Sequence, residues 1–181
     1  MTSEHADDAR DVQEPEASRI ALTWSGEPGR HEELTHGMLL DQAERAAAAL
    51  TRLGVRAGDR VAVHLPLVPE SVIATLACGR LDAIRTTLPV SLTVPELVAR
   101  TRESSARVLI TADAAFWDGA VRPVKAVLDH ALARGAASGG APGGVPDRTV
   151  LVVNRCSRPV SWKPGRDLWW HEALGTGAAT R

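Results

Sequence analysis

The chain has 181 residues, 44% of them hydrophobic and 24% charged, with a formal net charge of -1. That length suits one domain with a real core, and the near-neutral charge argues against a nucleic-acid or polyanion binder, which needs a basic face. No run of about 18 apolar residues offers a membrane span. The acidic start (Glu4, Asp7, Asp8, Asp11, Glu14, Glu16) is the opposite of a signal peptide, so the expected location is the cytoplasm.

Residues 1–18 carry many charges and no hydrophobic periodicity, and are expected to be a disordered tail. A short strand follows over 20–24, then turn chemistry over 25–29. Thr35 caps an expected helix over about 37–53, in which Leu39, Ala43, Ala46, Leu50 and Leu53 recur at helical spacing and Gly54 ends the run. Gly58 and Asp59 turn the chain into a strand over 60–65. Pro69 opens a second helix, to about 81, at the position where its missing amide proton costs nothing. This helix is apolar almost all round and belongs between layers. A strand over 83–88 comes next. Thr93 and Glu96 then have the spacing of a capping box for a third helix to about 104. A strand over 108–111, a fourth helix over about 121–134, a flexible loop over 135–146 and a strand over 149–153 complete the regular part. Three of the five tryptophans fall in 161–173. Strands alternating with helices predict an α/β fold, a mostly parallel sheet with helices on its faces.

No catalytic or metal site stands out. The run Gly139, Gly140, Ala141, Pro142, Gly143, Gly144 follows a helix and precedes a strand, the reverse of a phosphate cradle, and no lysine followed by Ser or Thr ends it. The six histidines show no i, i+4 pair and no cysteine at ligand spacing, so no zinc site is expected. His64, on a strand, is expected to be solvated or satisfied. Cys78 reads as a small buried hydrophobe. Ser91, Ser104, Ser105 and Ser157 lack a nucleophile-elbow setting. Asp41 and Arg45 form an ordinary i, i+4 pair.

Several blocks, in order, carry a family resemblance. They are the strand ending at Trp24, then Leu50-Thr-Arg-Leu-Gly-Val-Arg-Ala-Gly-Asp-Arg-Val-Ala-Val63, Leu65-Pro-Leu-Val-Pro-Glu70, Leu76-Ala-Cys-Gly-Arg-Leu-Asp-Ala-Ile84, Ser104-Ser-Ala-Arg-Val-Leu-Ile-Thr-Ala-Asp113 and Trp162-Lys-Pro-Gly-Arg-Asp-Leu-Trp-Trp-His-Glu172. Together they resemble the N-terminal part of the AMP-forming acetyl-CoA synthetases, members of the adenylate-forming superfamily. The resemblance implies the N-terminal subdomain fold of those enzymes, with residues 19–181 forming a partial AMP-dependent synthetase/ligase domain. It also implies a family chemistry in which acetate and ATP, with magnesium, give acetyl-adenylate, and the acetyl group passes to coenzyme A.

That chemistry needs a lysine-containing phosphate loop and a further catalytic lysine. In the family both follow the Trp-Trp-His block and lie beyond Arg181, so no cofactor is expected for this chain alone. Two departures fall within the shared part. The family's Arg-x-Gly-Arg patch for coenzyme A aligns with Trp117, Asp118, Gly119 and Ala120, so both arginines are gone, and Arg122 is the one nearby cation left to compensate in part. The family's Phe-Gly-Gly-Phe turn reads Pro89, Val90, Ser91, Leu92, which places Cβ atoms where glycines allowed close approach. Three readings follow: a non-catalytic remnant, an interaction module that partners a full-length or complementary adenylating enzyme, and half of a split enzyme. The second expects apolar surface around Trp169 and Trp170.

Overall fold

The computed structural model describes residues 15–137 and 148–175. Most of the expected tail lies outside the described residues, and the part within them, Glu16–Ser18, forms a 3-10 turn. Of the loop expected over 135–146, residues 135–137 complete a helix and the rest lies outside the described residues.

The chain opens with an antiparallel hairpin, β1 (Ile20–Glu27) and β2 (Arg30–Thr35), turned at Pro28 and at Gly29 with its positive φ of 73°. β1 runs on through Ser25 and Gly26, which were expected to turn, and β2 was not legible as strand, because Arg30–Thr35 is polar apart from Leu34 and shows no clear alternation. Thr35 then caps α1 (His36–Arg52), its hydroxyl accepting the Met38 amide at 3.2 Å, and Ala43, Ala46, Ala47, Ala49 and Leu50 form the buried face. β3 (Arg60–His64) leads to α2 (Pro69–Arg80), started by Pro69, whose buried face includes Ile73, Ala74, Ala77 and Cys78.

After β4 (Ile84–Thr87), α3 (Val94–Ser104) begins with both bonds of the capping box, Thr93 with Glu96. β5 (Val108–Ala112) is followed by a second hairpin, β6 (Ala115–Trp117) and β7 (Ala120–Arg122), and then by α4 (Val124–Ala137). The expected fourth helix thus starts three residues late, because Val121 and Arg122 pair with Phe116 and Ala115 as strand. β8 (Thr149–Val153), β9 (Asp167–Trp169) and the one-turn α5 (Trp170–Ala173) end the described chain.

Five strands form one parallel sheet in the order β4-β3-β5-β8-β9. Because it is covered on both faces, its central strands are buried at nearly every position. Val61, Val63, Ile110 and Leu151 join the core shared with α1 and α2. Ala62, Leu109, Val150 and Val152 join the core shared with α3 and α4. The chain steps from β3 to β4 on one side and then crosses to β5 on the other, so strand order reverses about β3. Among the described residues no helix is long and apolar enough to cross a membrane.

One expectation is corrected. Trp170 is not surface: it is 6% exposed and packs in the α1/α2 core with Leu174. Trp169, the last residue of β9, is half-buried against the α3/α4 core.

Candidate ligand cleft

The two segments singled out by the family resemblance are 25 or more residues apart in sequence, yet the fold brings them to one place. Val90, Ser91 and Leu92, between β4 and α3, face Trp117, Asp118 and Arg122 of the second hairpin across a cleft of 390 Å³. Pro123, Val124 and Val127 at the start of α4 complete the wall. The hairpin turns on Asp118 and Gly119, with φ of 51° and 73°, the backbone of a two-residue turn that wants Asp-Gly. That turn sets Trp117, 44% exposed, opposite Ala120 in the ladder. Ala120 itself is exposed on β7 but does not line the cleft.

The cleft's chemistry is that of an apolar slot with one acid and one base. Among the described residues Arg122, exposed, is the one cation lining it, and Asp118 is an exposed carboxylate on the same rim. Its Val90–Leu92 wall carries side chains at every position, so the backbone there offers no glycine surface to a ligand.

Lys125 and Arg166, near this end of the fold, are committed to structure. Lys125, the residue after Val124 of the cleft wall, is fully buried and points away from solvent. Its ammonium donates to Asp129 at 2.8 Å, to Asp167 at 2.9 Å and to the Ser161 carbonyl at 2.9 Å. Arg166 also donates to Asp129 and Asp167, and the Lys163 amide donates to Asp167 at 2.9 Å. Burial works against the Asp167 charge, but the hydrogen bonds from Arg166, Lys163 and Lys125 outweigh it and hold the carboxyl below its usual range. The Gly-Arg-Asp block is therefore a clasp that ties β9 to α4.

A second clasp holds the first hairpin. Arg155, 4% exposed, lies 4.5 Å above the Trp24 ring and is enclosed by Glu27, Glu32 and Glu70 at 3.0–3.3 Å. Burial opposes its charge, yet Glu70, Glu27 and Glu32 together raise its pKa. Trp24 donates its indole N–H to the Leu67 carbonyl at 2.6 Å.

A larger cleft, 540 Å³, is lined by Asp113, Val121, Pro123, Ala126, Arg158 and Val160 among others. Its acid is spent on the backbone: the Asp113 carboxylate accepts the amides of Arg155, Cys156 and Arg158. Among the described residues no three His, Cys, Asp or Glu side chains gather as a metal site. Cys78 is buried and Asp41 pairs with Arg45 at 2.9 Å, as expected. His64 is wholly buried, its Nδ1 2.9 Å from the Leu88 carbonyl, and is satisfied at that atom alone.

Sequence reasoning missed both clasps and the second hairpin. The Asp118-Gly119 dipeptide between short apolar runs was the available signal for the hairpin. Nothing in sequence spacing announces that Lys125 and Asp167, 42 residues apart, are partners.

A family model described as AMP-binding enzyme matches residues 9–157. The acetyl-coenzyme A synthetase of Mycobacterium tuberculosis (strain ATCC 25618 / H37Rv) is 43% identical over 173 residues, which is 93% of this chain and 25% of that protein. The acetyl-coenzyme A synthetase of Streptomyces avermitilis is 40% identical over 170 residues, covering 94% and 25%. That of Deinococcus radiodurans is 37% identical over 166 residues, covering 91% and 24%. The chain spans about a quarter of the length of the curated relatives it matches.

Proposed function

The chain belongs to the AMP-binding enzyme family, and we propose that it is an acetyl-CoA synthetase-like scaffold that does not by itself join acetate to coenzyme A. The observation that carries this reading is the cleft where segments 89–92 and 117–122 meet. A nucleotide bearing several phosphates needs convergent cations or free backbone amides. This cleft is lined by Arg122, Asp118 and Trp117; Trp117 and, just outside the lining, Ala120 stand at the positions the family fills with arginine. Lys125, Arg155 and Arg166 do not make up the difference, because buried carboxylates hold each of them. The cleft does not fit the nucleotide end of coenzyme A. Nor do the described residues include a lysine-bearing glycine turn between a strand and a helix to take a triphosphate. On this reading the chain works in the cytoplasm and holds neither ATP, magnesium nor coenzyme A unaided.

Calorimetric titration with coenzyme A tests the reading. The natural chain gives no saturable heat, while the double variant Trp117→Arg/Ala120→Arg gains binding. Each charged hydrogen bond contributes roughly 1.5–3 kcal/mol, or about tenfold to a hundredfold in affinity. Stoichiometric binding by the natural chain, unimproved by the arginines, contradicts it.

A second reading has its own support. Strand β9 is an edge of the sheet, and Leu168 and Trp162 beside it are 39% and 37% exposed, with the Trp162 and Trp169 rings tilted 30° to each other at 4.8 Å between centroids. An exposed apolar edge marks an interface or an aggregation site. The chain then pairs there with a full-length or complementary adenylating enzyme, as an interaction module or as half of a split enzyme. Co-purification of such an enzyme with the natural chain, lost in Trp162→Ser/Leu168→Lys, supports this. Equal recovery by chain and variant, or none by either, removes it.

A further inference from the structure

We propose that His64 and Thr111 form a two-point binding site for a single buried water molecule at the point where the strand order reverses. In an open α/β sheet the crevice outside the carboxyl ends of the strands, at the reversal of strand order, is where small polar ligands gather. Here that point lies between β3 and β5, since β4 flanks β3 on one side and β5 on the other. His64 and Thr111 are the register partners at those carboxyl ends. Ala62 and Leu109, two residues earlier on each strand, both face the α3/α4 core, so His64 and Thr111 face it as well. Both residues are 0% exposed. Among the described residues, His64 Nε2 and Thr111 Oγ1 are both buried without a hydrogen-bond partner.

Buried polar atoms are paired in native proteins, and two such atoms on adjacent strands are a concentrated exception. The tautomer decides what satisfies them. His64 Nδ1 lies 2.9 Å from the Leu88 carbonyl, which can only accept, so Nδ1 carries the proton. Burial lowers the pKa of the ring and keeps it neutral. Nε2 is therefore a bare acceptor and needs a donor. The Thr111 hydroxyl can donate or accept, but it makes no hydrogen bond to Nε2. Water can donate to Nε2 while accepting from Oγ1, and because the two residues are register partners on adjacent strands and face the same side of the sheet, one bridging molecule satisfies both atoms. The same ring holds the Leu88 carbonyl, so the site also fixes where the Val90–Leu92 wall of the cleft begins.

A high-resolution crystal structure of the full chain, with two-bond nitrogen–proton correlation spectra of its histidines, tests this. The expected result is one peak within about 2.7–3.2 Å of both Nε2 and Oγ1, and a His64 spectrum of the Nδ1–H tautomer. Thr111→Ser keeps the peak and Thr111→Val loses it. A direct Thr111–His64 hydrogen bond with no intervening peak, or an Nε2–H tautomer, overturns the proposal. If Thr111→Val does not fold, the natural chain's density and spectra still decide.

Discussion

Replacing Lys125 with methionine keeps an unbranched side chain one atom shorter and removes the terminal ammonium with its charge and donors. The change leaves Asp167 buried with Arg166 and the Lys163 amide still in place, strips Asp129 of one of its two cations, and orphans the Ser161 carbonyl. Breaking a buried ion pair from one side costs about 3–5 kcal/mol. The partners that remain place Lys125→Met at the low end, about 3 kcal/mol. For a chain of this size that is a fall in Tm of about 6–12 °C. Urea unfolding followed by tryptophan fluorescence reads it directly, since Trp162, Trp169 and Trp170 flank the clasp. Asp167→Leu alone leaves the Lys125 ammonium buried with Asp129, so it costs a similar amount. The double variant removes both charges and costs less than the sum by about 2 kcal/mol, within the coupling range of contacting residues. A Lys125→Met chain within about 0.5 kcal/mol of the natural one, the scatter of ordinary surface changes, or strict additivity of the pair, refutes the clasp.

Arg155→Met should loosen the first hairpin specifically: Glu70 loses its cation while Glu27 and Glu32 keep only Arg30, at about 3 kcal/mol, and amide exchange accelerates first over β1 and β2. Uniform exchange across the sheet would contradict that assignment. Gly26→Ala places a Cβ 2.8 Å from the Trp24 ring, which the Leu67 carbonyl and Arg155 hold in place, so it should destabilise by about 1–3 kcal/mol. A neutral unfolding midpoint would show that the ring yields. Stability should also fall with acid in two windows. The fold holds His64 neutral while the unfolded ring binds a proton below its ordinary value near 6.5, so stability falls as pH drops through that value. Asp167 is depressed in the fold, so its contribution is complete above about 3.9 and disappears as pH falls below it. Urea midpoints that stay level from pH 7 down to 5 would contradict the first window.

The three central strands were legible because they are short, apolar and buried on both faces, whereas β9 was not read as a strand, and Thr35, Pro69 and the Thr93–Glu96 pair mark helix starts by local chemistry alone. Local signals also placed the Cys78 and Asp41–Arg45 readings correctly. What the sequence hid is non-local. Lys125, which carries no local signal in the sequence, is a buried anchor for Asp167, a pairing that the placement of β9 beside β8 creates. Trp170 and Trp169 are neighbours of like chemistry, and the change from β9 to α5 between them sends one into the core and leaves the other half-buried. The cleft was half visible. Each wall drew notice through the family resemblance, but their meeting needed the second hairpin, whose Asp118-Gly119 signal went unread.

Acetate-dependent exchange of pyrophosphate into ATP by the purified chain tests most directly whether this scaffold activates acetate unaided. No exchange above the protein-free rate is expected, with or without magnesium and coenzyme A. Exchange that is saturable in acetate and scales with chain concentration would contradict it.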